Sequence, residues 1–297
     1  MGTGGDGRIG ERLGFIGLGV MGAPMAANLV RAEPPALTVY DVRPELVAAL
    51  VARGAVDGGS VAGTVDRADI VMLSLPDGPT LDRVMTGTDG VLDRVRPGQL
   101  IVDHTTAPVA LTRELGARVR ERGADYCDAP IARTRQAAHD GTLSIMVGGA
   151  PAAVERLMPV LAPMASDVTH CGDLGAGQIT KLLNNMILFQ NVQALAEAHA
   201  IAGRLGVDSD LVFDVIGGAS GGSFALHNHG RKAMFVDTYP DDAFGVDYAR
   251  KDLSYALELA REVGVEVTGA EATRDLLDRA SEAGFHREYF PVVRRLL

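Results

Sequence analysis

The sequence predicts a doubly wound α/β domain with a mainly parallel sheet, then an all-α domain, the two joined by a long helix. Three observations carry this prediction. A short apolar strand at 13–17 runs into Gly17-Leu18-Gly19-Val20-Met21-Gly22 and on into the helical stretch APMAANLVRA. Strand-like and helical runs then alternate as far as Cys171, whereas past Gly206 the pattern is helical only. Between them, the run from Leu174 to Ala196 holds a single charged residue, Lys181. A helix apolar on nearly all sides is a buried helix. At 1.5 Å rise per residue it would span roughly 40 Å, more than one small domain needs, so it is expected to bridge two.

The first glycine turn sits between strand and helix, where a dinucleotide fingerprint belongs. Gly17 allows the tight turn, Gly19 lets a pyrophosphate approach the backbone, and Gly22 lets the helix pack on the strand. The phosphates would lie on free N–H groups at a helix N-terminus, with Val20 and Met21 in the turn beside them. A second strand at 37–41 ends in Asp41, about 20 residues beyond Gly19, followed by Val42. A carboxylate there accepts from ribose hydroxyls and repels a 2′-phosphate, which favours NAD. Arg43 is close enough in sequence to hold that phosphate instead, so NADP stays open. The plainer role for Asp41 is a turn before Pro44.

Further strands are expected at 69–76 and 99–103. Ligands of a doubly wound sheet lie beyond the carboxyl ends of its strands. Leu75 and Pro76, with Thr105 and Thr106, should therefore line the nicotinamide side, unless the threonines only cap the next helix. Strands are also expected on both sides of an exposed polar connection that holds Ala132, Arg133, Thr134 and Arg135. Arginine forks suit carboxylate, sulfonate or phosphate, although a solvated arginine is the simpler reading for Arg135. A lysine in apolar surroundings costs free energy unless partnered. Such costs concentrate at working sites, and the alternative for Lys181 is a side chain that snorkels to a domain edge. Asn184 and Asn185 follow at helical spacing on its face.

A chain of 297 residues has room for two domains, and 47% hydrophobic and 22% charged residues fit a globular protein. A net charge of -10 argues against a nucleic-acid partner. Cys127 and Cys171 stand far apart with no metal spacing, so a reducing cytoplasm is the expected home. No apolar run of about 18 residues suggests a membrane span. The glycine-rich start, residues 1–11, is expected to be a loose arm. His227 and His229 fall in a glycine-rich stretch expected to be a surface loop, with no third metal ligand in view. The final amphipathic stretch reads as a solvated helix pair, and Lys251 and Tyr255 share a helix face.

Four blocks, GFIGLGVMGAPMAANL, DHTTAP, DAPIARTRQAAHDGTLSIMVGG with GAGQITKLLNNM, and Arg250-Lys251-Asp252-Leu253, stand in one order. Together they resemble the β-hydroxyacid dehydrogenase family, which includes 3-hydroxyisobutyrate and tartronate semialdehyde enzymes. The resemblance covers the chain from residue 12 onward. It implies a Rossmann domain over 12–172 and a helical substrate and oligomerisation domain over 173–297, with the linking helix at about 176–205. It also implies a catalytic lysine at Lys181 with Asn185 beside it, cofactor contacts from Thr106 and Lys251, and a homodimer or homotetramer. The family's substrate loop usually reads DAPVSGG, whereas here Ala132, Arg133 and Thr134 replace the Ser-Gly-Gly. An Arg-Thr pair resembles the sulfolactaldehyde reductase branch.

The expected activity is hydride transfer between NAD(P) and a small, anionic 3-hydroxy acid or its semialdehyde. Lys181 would serve as general acid/base, and Arg133 with Thr134 and Ala132 would place the anion. A sulfonate substrate is the alternative, and a cofactor-binding scaffold without catalysis is the alternative of another class. Imine reductases share this architecture but typically replace the lysine, and longer sugar-phosphate dehydrogenases need a larger helical domain.

Overall fold

The computed structural model describes residues 9–241 and 243–297, so most of the arm expected at 1–11 lies outside the described residues. Ile9 is buried, and Glu11 accepts from the guanidinium of Arg156 at 2.7 Å. The chain divides into two compact units, Met1–Lys181 and Leu182–Leu297.

Among the described residues of the first unit, nine strands form one sheet. They are β1 Arg12–Ile16, β2 Ala36–Tyr40, β3 Val56–Asp57, β4 Ile70–Leu73, β5 Leu100–Asp103, β6 Asp125–Asp128, β7 Ile131–Ala132, β8 Leu143–Gly148 and β9 Ala165–Gly172. The order is β3-β2-β1-β4-β5-β6-β8-β7, with β9 also on β8. The pairs from β3 through β6 are parallel, β8 runs antiparallel to β6 and β7, and β9 is parallel to β8. Helices cover both faces, so the central strands are apolar throughout rather than alternating. Phe15, Met72 and Val102 enter one core; Ile16, Val71, Leu73 and Ile101 enter the other. The order reverses beside β1 and β4, which carry the glycine turn and the Leu75 loop. This is the doubly wound arrangement that the alternating sequence predicts.

The segment between β6 and β8 is more ordered than an exposed connection. Ala129 and Pro130 are buried, β7 pairs with β8, and Arg135–Asp140 forms a helix. Thr134 caps that helix, its hydroxyl accepting from the Ala137 N–H at 3.3 Å.

The long helix, Ala176–Arg204, runs from the first unit into the second. It is not buried all round, contrary to the expectation from its composition. Leu182, Asn185, Phe189, Val192 and Ala196 form its buried stripe, whereas Leu183 is 43% and Ile187 56% exposed. Low charge thus marks an apolar outer face in addition to the core-facing one.

The second unit is helical. Ser209–Gly218, Leu226–Met234, Val246–Glu262 and Thr268–Ala280 pack with the far part of the long helix around Phe189, Phe213, Leu253 and Leu277. Two expectations fail here. His229 is not on a surface loop; it lies buried in the π-helical Leu226–Met234 and is hydrogen-bonded to the Tyr289 hydroxyl. Burial pushes its pKa down to about 4. The C-terminal stretch is not wholly solvated either, since Phe290, Val292 and Val293 of the 3-10 turn Phe290–Leu296 are buried. Phe290 meets Phe189 edge-on at 5.2 Å between ring centres. An amphipathic pattern conceals such a plug because charges flank it on both sides. Among the described residues no helix is long and apolar enough to cross a membrane.

Candidate active site

The glycine turn closes β1 onto the helix Gly22–Arg31 with little room to spare. A β-carbon at Gly22 would lie 2.0 Å from the Gly17 carbonyl oxygen, and one at Gly17 would lie 2.3 Å from that of Ser74. Gly17 also has φ +94, in the left-handed region. At Gly19 a β-carbon would meet only Arg43, at 3.8 Å, so this stretch of backbone is open to approach. Val20 is exposed, Met21 half-buried, and no side chain caps the helix at Met21. The Ala23 N–H is taken by the Gly19 carbonyl at 3.1 Å and Pro24 has none, so an anion here would be met by the N–H groups of Val20 to Gly22. The turn fits a dinucleotide pyrophosphate.

Asp41 follows β2 and does two things at once. One carboxylate oxygen accepts from the Leu18 N–H at 2.7 Å, which ties the second strand to the glycine turn. The other accepts from the Arg43 N–H at 2.9 Å and pairs with its guanidinium at 3.2 Å. Asp41 thus forms the turn before Pro44 and also faces the glycine turn. Burial pushes the Asp41 carboxyl up, but the N–H groups of Arg43 and Leu18 outweigh it and hold it below the usual value. Val42, beside it, is 84% exposed.

Beyond β4 and β5 the loops are stitched by Thr105. Its hydroxyl accepts from the Leu75 N–H at 3.1 Å, and its N–H donates to Asp103 at 2.9 Å. Thr105 is buried, Thr106 and Leu75 are half-buried, and Pro76 is exposed. Neither threonine caps the following helix Val109–Arg120, whose cap position is Pro108.

A buried polar layer underlies these loops. Asp103 also accepts from the Tyr126 hydroxyl at 3.2 Å, and burial pushes its carboxyl up to about 7. His104 donates from Nδ1 to the Ala129 carbonyl at 2.7 Å, and burial pushes its pKa down to about 4. The two shifts act oppositely on stability. Asp103 holds its proton in the folded state when the unfolded chain has lost it, so its contribution falls as pH rises from about 4 to about 7. His104 and His229 resist protonation, so theirs falls as pH drops from about 6.5 towards 4. Asp103→Asn mimics the protonated acid and removes the compensating gain. Its Tm is expected to drop more steeply than wild type between pH 6.5 and 4; parallel Tm–pH curves would refute this balance.

The end of β6 positions the long helix. The buried Asp128 carboxylate accepts from the Gly175 and Gln178 N–H groups, both at 2.7 Å. Burial pushes this carboxyl up against the downward pull of those donors, leaving it above the usual value. The Gln178 side chain, also buried, donates to the Thr105 carbonyl at 2.5 Å and accepts from the Ala107 N–H at 3.3 Å. Gly177 is required for close approach rather than flexibility, since a β-carbon there would lie 2.3 Å from the Met146 carbonyl oxygen. Lys181, half-buried, stands one turn beyond this anchor. Sequence reasoning missed Asp128 and Gln178 as site residues, although both lie inside the blocks that carried the resemblance.

The loop after β6 holds Ala132, Arg133 and Thr134. Arg133 has φ +83. Its guanidinium donates to the Thr142 carbonyl and the Ser166 hydroxyl, each at 2.6 Å, and pairs with Asp167.

In the second unit, Asn185 is buried and donates to Asp252 at 2.7 Å, while Asn184 donates to the Asn185 side-chain oxygen at 3.1 Å. Lys251 pairs with Asp252 at 3.0 Å and lies between the Tyr248 and Tyr255 rings, at 5.9 and 5.5 Å from their centres. Asp252 therefore fixes which way the Asn185 amide faces and holds Lys251 as well. The sequence shows this residue only as the neighbour of Lys251. Among the described residues no group of three or more metal-ligating side chains occurs.

Comparison with known proteins agrees with this geometry. Residues 12–172 match the NAD-binding domain of 6-phosphogluconate dehydrogenase, and residues 175–296 match the NAD-binding domain of NADP-dependent 3-hydroxyisobutyrate dehydrogenase. The chain is 34% identical to 2-(hydroxymethyl)glutarate dehydrogenase of Eubacterium barkeri, over 93% of this chain and 91% of that protein. It is 33% identical to 3-sulfolactaldehyde reductase of Escherichia coli, over 93% and 92%. A solved structure of Mycobacterium tuberculosis 3-hydroxyisobutyrate dehydrogenase with L-serine is 33% identical, covers 97% of this chain and 99% of that one, and superposes with a TM-score of 0.88. With both halves of the chain matched and the glycine turn fitted to a dinucleotide, the protein belongs to the β-hydroxyacid dehydrogenase family and is an NAD(P)-dependent oxidoreductase.

Proposed function

We propose that this enzyme interconverts a small 3-hydroxy acid and its semialdehyde, with Lys181 at the reacting oxygen and Arg133, Thr134 and Ala132 at the anionic end. The observation that carries the reading is the double role of Asp128. The loop 129–134 leaves from it, and the helix bearing Lys181 is fastened to it through Gly175 and Gln178. One buried carboxylate thereby sets the lysine and the anion loop in a common frame. The named substrates of the relatives have a fitting chemistry: L-serine and 2-(hydroxymethyl)glutarate both carry a hydroxymethyl group on the carbon next to a carboxylate.

Bound nicotinamide supplies or accepts the hydride. Lys181 gives the hydroxyl its proton during reduction and takes it back during oxidation, and its charge opposes the alkoxide that develops. Asn185, one turn on and held by Asp252, orients the lysine or the substrate. Arg133 and Thr134 fix the anion and so limit where the reacting carbon can sit. Gly17, Gly19, Val20, Met21 and Gly22 hold the pyrophosphate, Asp41 and Val42 the ribose, and Leu75, Pro76 and Thr106 the nicotinamide side. Lys251 is the cofactor contact assigned to the second unit. In this division of labour residues 12–172 bind the dinucleotide and residues 173–297 serve substrate and assembly.

The test is a cofactor-absorbance panel with NAD and NADP against 3-hydroxyisobutyrate, L-serine, glycerate, 4-hydroxybutyrate and 2,3-dihydroxypropanesulfonate, with the semialdehydes in reverse. Turnover of a 3-hydroxy carboxylate is the expected result. The Arg-Thr pair supports a second reading, a sulfonate substrate, for which the sulfonate would be the best in the panel. No turnover with NADH still bound would favour a scaffold. Asp41 opposes a 2′-phosphate while Arg43 stands ready for one. Asp41→Ser is therefore expected to raise the kcat/KM ratio of NADP over NAD by about 10-fold, or about 1.4 kcal/mol; an unchanged ratio would remove Asp41 from cofactor selection. Assembly as a homodimer or homotetramer belongs to the same reading, supported by exposed Leu183, Ile187 and Ile201 on the long helix. So does a cytoplasmic location, supported by two unpaired cysteines.

A further inference from the structure

Arg133 occupies a backbone conformation that residues with a β-carbon rarely adopt, at φ +83. Its guanidinium meets three acceptors, the Thr142 carbonyl, the Ser166 hydroxyl and the Asp167 carboxylate. β7 lies on one side of β8 and β9 on the other, with Ala132 opposite Ser144 and Ser144 opposite Asp167. The guanidinium crosses β8 to reach β9, where it meets the Ser166 hydroxyl and the Asp167 carboxylate, and it donates to the Thr142 carbonyl as well. Ser166 donates to the same carboxylate at 2.9 Å. The Ser166 hydroxyl and Arg133 together hold the Asp167 carboxyl below its usual value. An ionised aspartate thus already takes one arm of the fork that an anionic substrate would use.

We propose that Asp167 is a specificity-determining positioning residue that parks Arg133 against β9, so that a substrate anion gains the guanidinium only by displacing the aspartate. This rests on the reading of Arg133 as the anion site. The pair is built to open. Its side chains are 40% and 55% exposed, and an ion pair in water is weak and screened by salt. A carboxylate or sulfonate offers that arm of the guanidinium an anionic oxygen of the same kind, so the exchange is close to balanced. A neutral substrate offers no such exchange and leaves Arg133 parked. The aspartate therefore discriminates by charge while adding no contact of its own to the substrate.

The experiment compares KM and kcat of wild type, Asp167→Asn, Arg133→Gly and the double variant. Glycine is used at Arg133 because it keeps the left-handed backbone without strain. The probes are 3-hydroxyisobutyrate and its methyl ester, with NAD at fixed ionic strength. Asp167→Asn is expected to lower KM for the acid about three- to tenfold with kcat unchanged. It should leave the ester unaffected and lose its effect when Arg133 is glycine. If Arg133→Gly raises KM for the acid while Asp167→Asn does not lower it, the parking role is overturned and the anion site stands. If Arg133→Gly leaves KM for the acid unchanged, the anion site fails and the parking role fails with it. A fall in KM for acid and ester alike would also overturn the proposal, since it would report a change in loop shape rather than competition between anions.

Discussion

Lys181→Ala is expected to lower kcat by about 10³- to 10⁴-fold while NADH binds within about twofold of wild type. The size follows from what the side chain is asked to do. A positioned proton donor contributes about 10²- to 10⁴-fold, and a charge beside a developing alkoxide adds to it. Binding should survive because the glycine turn and Asp41, tied to each other through the Leu18 N–H, form the dinucleotide cradle of the proposed site without drawing on the long helix. Lys181→Arg separates the two contributions. Arginine keeps the positive charge but cannot lose its proton at neutral pH. If charge alone mattered, this variant would recover most of the rate; as a proton carrier, Lys181 should not be replaced by it. Stopped-flow hydride transfer and fluorescence titration of NADH give the two readouts. Turnover of Lys181→Ala within about tenfold of wild type would place the proton partner elsewhere.

Much of this site was legible because its chemistry is local in sequence. The turn from Gly17 to Gly22 needs its glycines within six residues, and the strand before it and helix after it are contiguous. Lys181 and Asn185 are one helical turn apart, and Lys251 and Tyr255 likewise, so spacing alone places each pair on one face. What stayed hidden are partners joined through space. Asp252 lies 67 residues from the Asn185 it orients, and Asp128 lies 50 from the Gln178 N–H it accepts. Nothing in the periodicity of either segment names the other. Hydrophobicity also misled in two places for one reason: it reports that a side chain avoids water, not what covers it. The long helix was expected to be buried on all sides, yet Leu183 and Ile187 face outward from this chain. The reverse holds for His229, whose polar neighbourhood in sequence conceals a buried ring packed edge-on or tilted against Phe224, Tyr289 and Phe290.

Asp128→Ala is expected to cost about 3 kcal/mol of stability and, at temperatures where the variant remains folded, about 10- to 100-fold in kcat. Removing the carboxylate leaves the Gly175 and Gln178 N–H groups buried without their acceptor. Each such group costs about 1–3 kcal/mol, because water reaches neither. For a unit of this size, about 3 kcal/mol corresponds to a Tm loss of about 6–12 °C. The rate effect has a separate origin. The first turn of the long helix is held by Asp128 on one side and by the Gln178 amide on the Thr105 and Ala107 backbone on the other. With one of the two lost, the turn can shift, and Lys181 shifts with it; a displacement of about 1 Å at a reacting group is enough for about a hundredfold. Asp128→Asn distinguishes the two effects. It keeps one acceptor oxygen and nearly the same volume, so it should recover part of the Tm. It also turns an amide towards a donor, so the helix is still pushed and kcat should stay low. A normal kcat in both variants, with Tm reduced as expected, would leave Asp128 a structural residue and detach Lys181 from the anchor beneath it.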